Sequence, residues 1–126
     1  MTQLTVAVIG ASTQRRKFGN KAVRAYRQRG WQVFPIHPTA TEIEGIPAYR
    51  TVRDVPVARL DRASLYLPPA VGRTAIEDLA GMDCGEVWLN PGADSPEVVR
   101  KARQLGLNVV QGCSIVDIGV SPHDLD

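Results

Sequence analysis

The sequence predicts an α/β three-layer sandwich: a five-stranded, doubly wound parallel sheet with helices on both faces. Three observations point there. Short apolar runs rich in β-branched residues alternate with amphipathic helical patterns, the first run ends at a glycine followed by a basic turn, and 126 residues suit a single domain, 1–126, without a second substrate-binding one.

The elements follow in order. Leu4 to Ile9 reads as a buried parallel strand ended by Gly10. Asn20 to Arg29 sets Ala22, Val23, Ala25 and Tyr26 among basic residues and stops at Gly30, which gives an amphipathic helix with a glycine after its last turn. Trp31 to Ile36 is the second strand, weakened near its end by Pro35 and closed by His37-Pro38. Between Thr39 and Leu60 the pattern is irregular, interrupted by Gly45, Pro47 and Pro56, and predicts a loop with at most a short strand and one helical turn.

Ala63 to Leu67 is the third strand, ended by Pro68-Pro69, and Val71, Ala75, Ile76, Leu79 and Ala80 carry the helical spacing after it. Glu86 to Leu89 is the fourth strand. Ser95, Pro96 and Glu97 then supply a cap, a first-turn proline and a negative charge at the positive end of a helix. Val98, Ala102 and Leu105 line one face of that helix and Gly106 ends it. Leu107 to Val110 is the fifth strand, and Gln111 to Asp126 a tail that covers part of the sheet. In such a sheet, right-handed crossovers place the ligand at the carboxyl ends of the strands, near the point where the winding reverses.

Composition narrows the function classes. Hydrophobic residues at 44% and charged residues at 22% are an ordinary globular balance, and a formal net charge of +2 with no long basic run argues against nucleic acid as a partner. Cys84 and Cys113 lie far apart, with no metal-ligand spacing, so neither a disulfide nor a metal is expected. No apolar run approaches membrane-spanning length, and the first residues lack a secretory pattern; the expectation is a cytoplasmic protein with no membrane partner.

The chemistry concentrates in Gly10-Ala11-Ser12-Thr13-Gln14-Arg15-Arg16-Lys17-Phe18-Gly19-Asn20, between the first strand and the first helix. Gly10 permits a sharp exit from the strand. Ser12 offers a hydroxyl and an amide, Gly19 allows close approach near a helix start whose free N–H groups attract anions, and Arg15, Arg16 and Lys17 add positive charge. A dinucleotide fingerprint would need glycines where Ser12 and Arg15 stand, and an acidic residue after the second strand. No Asp or Glu occurs between Gly10 and Glu42, and His37 holds that place. A ligand with an extra phosphate and no acid-held ribose fits better, which leaves NADP or coenzyme A.

The ordered set Val-Ala-Val-Ile-Gly-Ala-Ser, Arg-Lys-Phe-Gly, Ile-His-Pro, Tyr-Leu-Pro-Pro and Val-Trp-Leu-Asn-Pro-Gly, from about Thr5 to Val116, resembles the small stand-alone coenzyme A-binding proteins. Those proteins are similar to the coenzyme A-binding domain of the succinyl-coenzyme A synthetase α subunit. The resemblance implies a Rossmann-type fold that binds coenzyme A or acyl-coenzyme A, with Gly10, Ala11, Ser12, Lys17, Phe18 and Gly19 around the phosphates. It also implies contacts from Leu67, Pro68 and Pro69 on the adenine side, and from Trp88, Asn90 and Pro91 nearer the pantetheine. His37 and Pro38 stand where relatives commonly have Asn-Pro, a departure on the adenosine side.

No catalytic residue is expected. The only histidines are His37, in a binding motif, and His123, in the polar tail. Asp78, Asp83 and Glu86 read as scattered surface charges, Trp31 and Trp88 as packing residues, Cys84 as a loop residue, and Cys113 as a buried thiol that would lie on the ligand's side of the sheet. The leading expectation is a non-catalytic module that stores, senses or presents coenzyme A. The alternatives are an NADP-linked or acyl-transfer accessory enzyme that needs a partner chain, and an interaction protein that has lost its ligand. A homodimer or a partner enzyme is left open.

Overall fold

The computed structural model describes residues 3–126. Its main sheet has five parallel strands in the order β2-β1-β5-β6-β7, where β1 is Thr5–Ile9, β2 Gln32–Ile36, β5 Arg59–Leu65, β6 Asp83–Leu89 and β7 Val109–Gln111. The winding reverses between β1 and β5, as the doubly wound expectation requires. Helices α1 (Phe18–Gln28) and α4 (Ser114–Asp117) lie against one face; α2 (Pro69–Ala80) and α3 (Pro96–Gln104) cover the other.

Alternation along β1 divides the core between the two faces. Val6 and Val8 pack with Ala22, Val23 and Tyr26 of α1 and with Ile115, Val120 and Leu125 of the tail. Ala7 and Ile9 pack with Ile76 and Leu79 of α2 and Val98 and Ala102 of α3. The tail therefore covers the sheet, as its sequence suggests. Pro35 is tolerated because β2 is an edge strand and its carbonyl still accepts from Tyr49 N at 2.9 Å. Ser95 caps α3, its Oγ accepting from Val98 N at 3.3 Å.

Several expectations are corrected. The region 39–60 holds two short strands rather than one, β3 (Glu42–Ile43) and β4 (Ile46–Pro47), joined by a tight turn in which Glu44 and Gly45 both have positive φ. A 3-10 turn, Val52–Asp54, follows. Helix α1 begins at Phe18, two residues before the expected Asn20; Phe18 is exposed and Gly19 is a weak helix former, so neither belongs to the buried apolar face that marks the helix in the sequence. Leu105 is 43% exposed, since α3 ends at Gln104 and the following turn carries Leu105 off the buried face formed by Val98, Val99 and Ala102. Val71 and Ala80 likewise face outward on α2. Strand β7 runs one residue past the expected Val110 and starts two residues later than expected.

Strand β5 begins at Arg59, four residues earlier than expected. Leu60 and Ala63, three apart, enter the same core, so the period-two pattern is broken at Asp61 and Arg62. Asp61 accepts Thr5 N at 2.8 Å and fixes the start of β1. Arg62 is 9% exposed and lies between two indoles, its guanidinium carbon 5.3 Å from the Trp31 ring centre and 4.7 Å from that of Trp88. It pairs with Glu86 at 2.8 Å and with Asp117 of α4 at 2.9 Å. Glu86 is thus no scattered charge, and Cys84 belongs to β6 rather than to a loop. Burial pushes the Cys84 thiol up to about 11, which keeps it protonated and unreactive near neutral pH.

Removing the Arg62 cation would strand two partly buried carboxylates and uncouple α4 from the sheet. Arg62→Ala is therefore expected to lower unfolding free energy by about 2–3 kcal/mol, less than the cost of breaking a fully buried pair because water reaches Glu86 and Asp117. Urea denaturation of the variant beside wild type checks this; a loss below about 0.5 kcal/mol would contradict the assigned role.

Candidate functional site

At the reversal point the carboxyl ends of β1 and β5 diverge, and a cleft of about 760 Å3 opens above them. One wall is the turn from Gly10 to Gly19, the other the segments Tyr66–Pro69 and Pro91–Ala93, and His37-Pro38 closes the end over β2. The turn's shape is set by two glycines. Gly10 has φ +91°, and a Cβ there would lie 3.0 Å from the backbone of Tyr66. A Cβ on Gly19 would lie 2.1 Å from the carbonyl oxygen of Gly10, so only glycine lets the first turn of α1 rest on the end of β1.

Residues 11–18 consequently arch outward and are tied down from behind. Asn20 is buried; its Nδ2 donates to Ser12 O at 2.9 Å and to Glu44 Oε2 at 3.1 Å, and its Oδ1 accepts from Arg24 Nε at 2.8 Å. Ser12 Oγ accepts from Gln14 N at 3.0 Å, which tightens the arch. Helix α1 has no side-chain N-cap; Asn20 N turns back to Lys17 O at 3.0 Å, which leaves the amides of Phe18 and Gly19, two residues that line the cleft, without intrahelical acceptors. Lys17, the residue at the cap position, is exposed and lines the cleft beside Phe18, which is 53% exposed.

The three basic residues of the turn therefore differ. Arg15 is turned to Glu44, with Nη1 to Oε1 at 2.5 Å, and the hydrogen bond from Asn20, followed by those from Arg15, holds the Glu44 carboxyl below its usual range. Arg16 is exposed and does not line the cleft. Lys17 has no acidic partner within 4.0 Å among the described residues.

His37 does the work of a turn-forming side chain: its Nδ1 accepts from Thr39 N at 3.1 Å and Ala40 N at 2.8 Å. An asparagine carbonyl would serve the same amides, which is the physical reason a histidine fits in this place. The accepting Nδ1 carries no proton, so the ring proton sits on Nε2.

Of the residues expected to form the site, Gly10, Ala11, Ser12, Lys17, Phe18, Gly19, His37, Pro38, Leu67, Pro68 and Pro69 come together around the cleft, joined by Pro91. Arg15, Arg16, Trp88 and Asn90 do not line it. Trp88 packs on Arg62, and its Nε1 donates to Glu86 at 3.3 Å. Asn90 is 2% exposed, with Nδ2 donating to Ser64 Oγ at 3.0 Å and Leu65 O at 2.8 Å while Oδ1 accepts Ser114 N at 2.9 Å.

Thr13, Gln14, Tyr66, Gly92 and Ala93 also line the cleft, and sequence reasoning missed them. Tyr66 opens the Tyr-Leu-Pro-Pro motif and falls inside the expected third strand, Ala63 to Leu67, but lies one residue past the observed end of β5. Its hydroxyl meets Ser114 Oγ at 3.3 Å, and burial pushes the pKa of that hydroxyl up to about 12. Cys113 precedes α4, half-buried, and does not line the cleft. Among the described residues no group of three or more His, Cys, Asp or Glu is placed to hold a metal ion, and no helix is long and apolar enough to cross a membrane.

The model of the CoA binding domain family matches residues 4–119. The α subunit of an ADP-forming acetate–CoA ligase from Pyrococcus furiosus is 32% identical over 83 residues, 64% of this chain and 17% of that protein. An ADP-forming acetate–CoA ligase from Archaeoglobus fulgidus is 34% identical over 88 residues, 69% of this chain and 13% of that protein. The chain thus spans about a sixth or less of the curated relatives it matches. A conserved hypothetical protein of known structure from Pyrococcus furiosus superposes with a TM-score of 0.79 at 28% identity, covering 92% of this chain and 99% of that one.

The contact between Gly19 and Gly10 gives a direct test of how the cleft is built. Gly19→Ala forces backbone against backbone and is expected to cost about 3 kcal/mol. Gly72→Ala, within α2 and 3.9 Å from Val98 Cγ2, should be neutral or stabilising by about 0.5 kcal/mol. Thermal denaturation of both variants reads the difference; equal melting temperatures would show that α1 does not depend on this approach.

Proposed function

The chain belongs to the family of CoA binding domains, with coenzyme A as its cofactor, and from that premise we propose that it holds coenzyme A in the cleft at the reversal point as a single domain without a catalytic group of its own. In this reading the diphosphate lies against Ala11, Ser12 and the open amides of α1, with Lys17 beside it. The ribose and adenine reach toward His37, Pro38 and Leu67, and the pantetheine arm runs past Pro91 toward β6.

The observation that carries this reading is the uncapped start of α1, held by the Gly10–Gly19 contact beside the uncommitted Lys17. Helix-terminal amides and a free cation suit a diphosphate, and the exposed Phe18 and the prolines offer an apolar surface to the rest of the ligand. The titratable side chains lining the cleft are Lys17, His37 and Tyr66. His37 Nδ1 accepts from the backbone of its own turn, a structural duty, and Tyr66 is too weak an acid to exchange protons near neutral pH. The chain would store, sense or present the cofactor. The similarity to parts of acetate–CoA ligases favours presentation to a partner enzyme over storage.

Titration calorimetry with coenzyme A and NAD tests the proposal. Coenzyme A should bind, and NAD should bind at least tenfold more weakly, since no carboxylate follows β2 to hold its ribose. Lys17→Ala should weaken coenzyme A about tenfold, the effect of one charge-assisted contact near the surface. Tight NAD binding, or no coenzyme A binding by wild type, would overturn the reading.

A further inference from the structure

A second cavity of about 400 Å3 opens off the cleft behind His37 and shares Gly10, His37, Pro38 and Leu67 with it. Its remaining walls include Ile36, Val52 and Ala75, with the exposed Val71 at the edge. A slot with apolar walls, joined to a cleft where helix amides await a diphosphate, fits a flat heterocycle on the same ligand.

One fixed positive charge, Arg50, lines this slot. Its backbone is clamped to the carboxyl end of edge strand β2. Tyr49 forms a parallel bridge with Ile36, Tyr49 N donates to Pro35 O at 2.9 Å, and His37 N donates to Tyr49 O at 2.9 Å. On its other side Thr51 begins the 3-10 turn, tied reciprocally to Asp54. Asp78, which also lines the slot, is engaged by Arg53 at 3.2 Å. Arg50 is exposed and has no acidic partner within 4.0 Å among the described residues. A rigid backbone, an uncommitted guanidinium and acids engaged elsewhere make an anion site at the ribose end of the slot.

We infer that Arg50 binds the ribose 3′-phosphate of coenzyme A and sets the preference for coenzyme A over its 3′-dephospho form. The inference rests on the proposed binding of coenzyme A in this cleft. With the diphosphate on α1 and the adenine in the slot, the ribose lies at the shared wall of Gly10, His37 and Pro38. A substituent there is within the range of a long side chain anchored beside the end of β2. Dinucleotide-binding sheets use the same place, the end of the second strand, for an acid that holds a free ribose or a cation that accepts a ribose phosphate. The turn from His37 to Thr41 supplies neither a lysine nor an arginine. The cation instead comes from a loop docked alongside β2, and the planar guanidinium suits a phosphate monoester.

The experiment is calorimetric titration of coenzyme A and 3′-dephospho-coenzyme A into wild type, Arg50→Gln, Arg50→Lys and Lys17→Ala. Wild type should prefer coenzyme A about tenfold, the strength of one charge-assisted contact. Arg50→Gln should lose about that factor for coenzyme A and none for the dephospho form, Arg50→Lys should fall between, and Lys17→Ala should weaken both ligands alike. A preference that survives in Arg50→Gln, or one abolished by Lys17→Ala instead, overturns the assignment while leaving coenzyme A binding intact. Failure of wild type to bind either ligand would reject the proposed function, and this inference with it. Thermal melting of Arg50→Gln, expected to match wild type because the side chain is exposed, separates a lost contact from a lost fold.

Discussion

The approach of Gly19 to the carbonyl of Gly10 is the constraint from which the rest of the site follows. It brings the start of α1 onto the end of β1, with 2.1 Å between that oxygen and any Cβ at position 19. The eight residues between the two glycines cannot lie flat and must arch over the strand end. The helix then begins with its open amides toward the cleft rather than toward solvent. The helix dipole and the amides act together only while this geometry holds, since both effects fade beyond the first turn.

The arch is held by side chains that work from behind the cleft. Asn20 joins the carbonyl of Ser12 to the carboxylate of Glu44, and Glu44 reaches this point because the β3–β4 turn places it in a left-handed conformation, φ 52°. That arrangement takes Arg15 away from a ligand. Arg24 is likewise committed, to the carbonyls of Arg15 and Leu125. Of the cations around α1, structural duties remove most; Arg16 and Lys17 have no acidic partner within 4.0 Å among the described residues, and of these two only Lys17 lines the cleft, while Arg50, beside β2, lines the slot.

Below the cleft, the β5–β6 part of the sheet face toward α4 carries buried polar side chains beside the apolar Val6 and Val8 of β1. Arg62 between Trp31 and Trp88, and Asn90 linked to Ser64, Leu65 and the amide of Ser114, join the tail to β5 and β6. Among the described residues every buried side-chain nitrogen and oxygen has a partner. Satisfied polar groups of this kind fix one docking position for α4, because any slip would leave several of them unpaired in a low dielectric. Tyr66, bonded to Ser114, carries that order up to the cleft wall.

The sequence by itself determined the parallel sheet, its five main strands, the capped helix after Ser95 and the glycine turn after β1. Each of these is written in neighbouring residues: a β-branched run, a Ser-Pro-Glu start, a glycine where φ must be positive. It also carried the family motifs that led to coenzyme A. The tertiary structure alone decided which polar residues face the cleft. Arg15, Trp88 and Asn90 sit in the right segments, yet each is turned elsewhere by a partner 24 or more residues distant: Glu44 for Arg15, Arg62 for Trp88, Ser64 and Ser114 for Asn90. The early start of β5 was hidden because Asp61 and Arg62 look like loop residues until Thr5 N donates to the first and Glu86 and Asp117 pair with the second. Arg50 had no local signal at all. Its place beside the slot comes from the Tyr49 bridge to β2, and side-chain partnership across the sheet is a property of three-dimensional proximity that local pattern does not record.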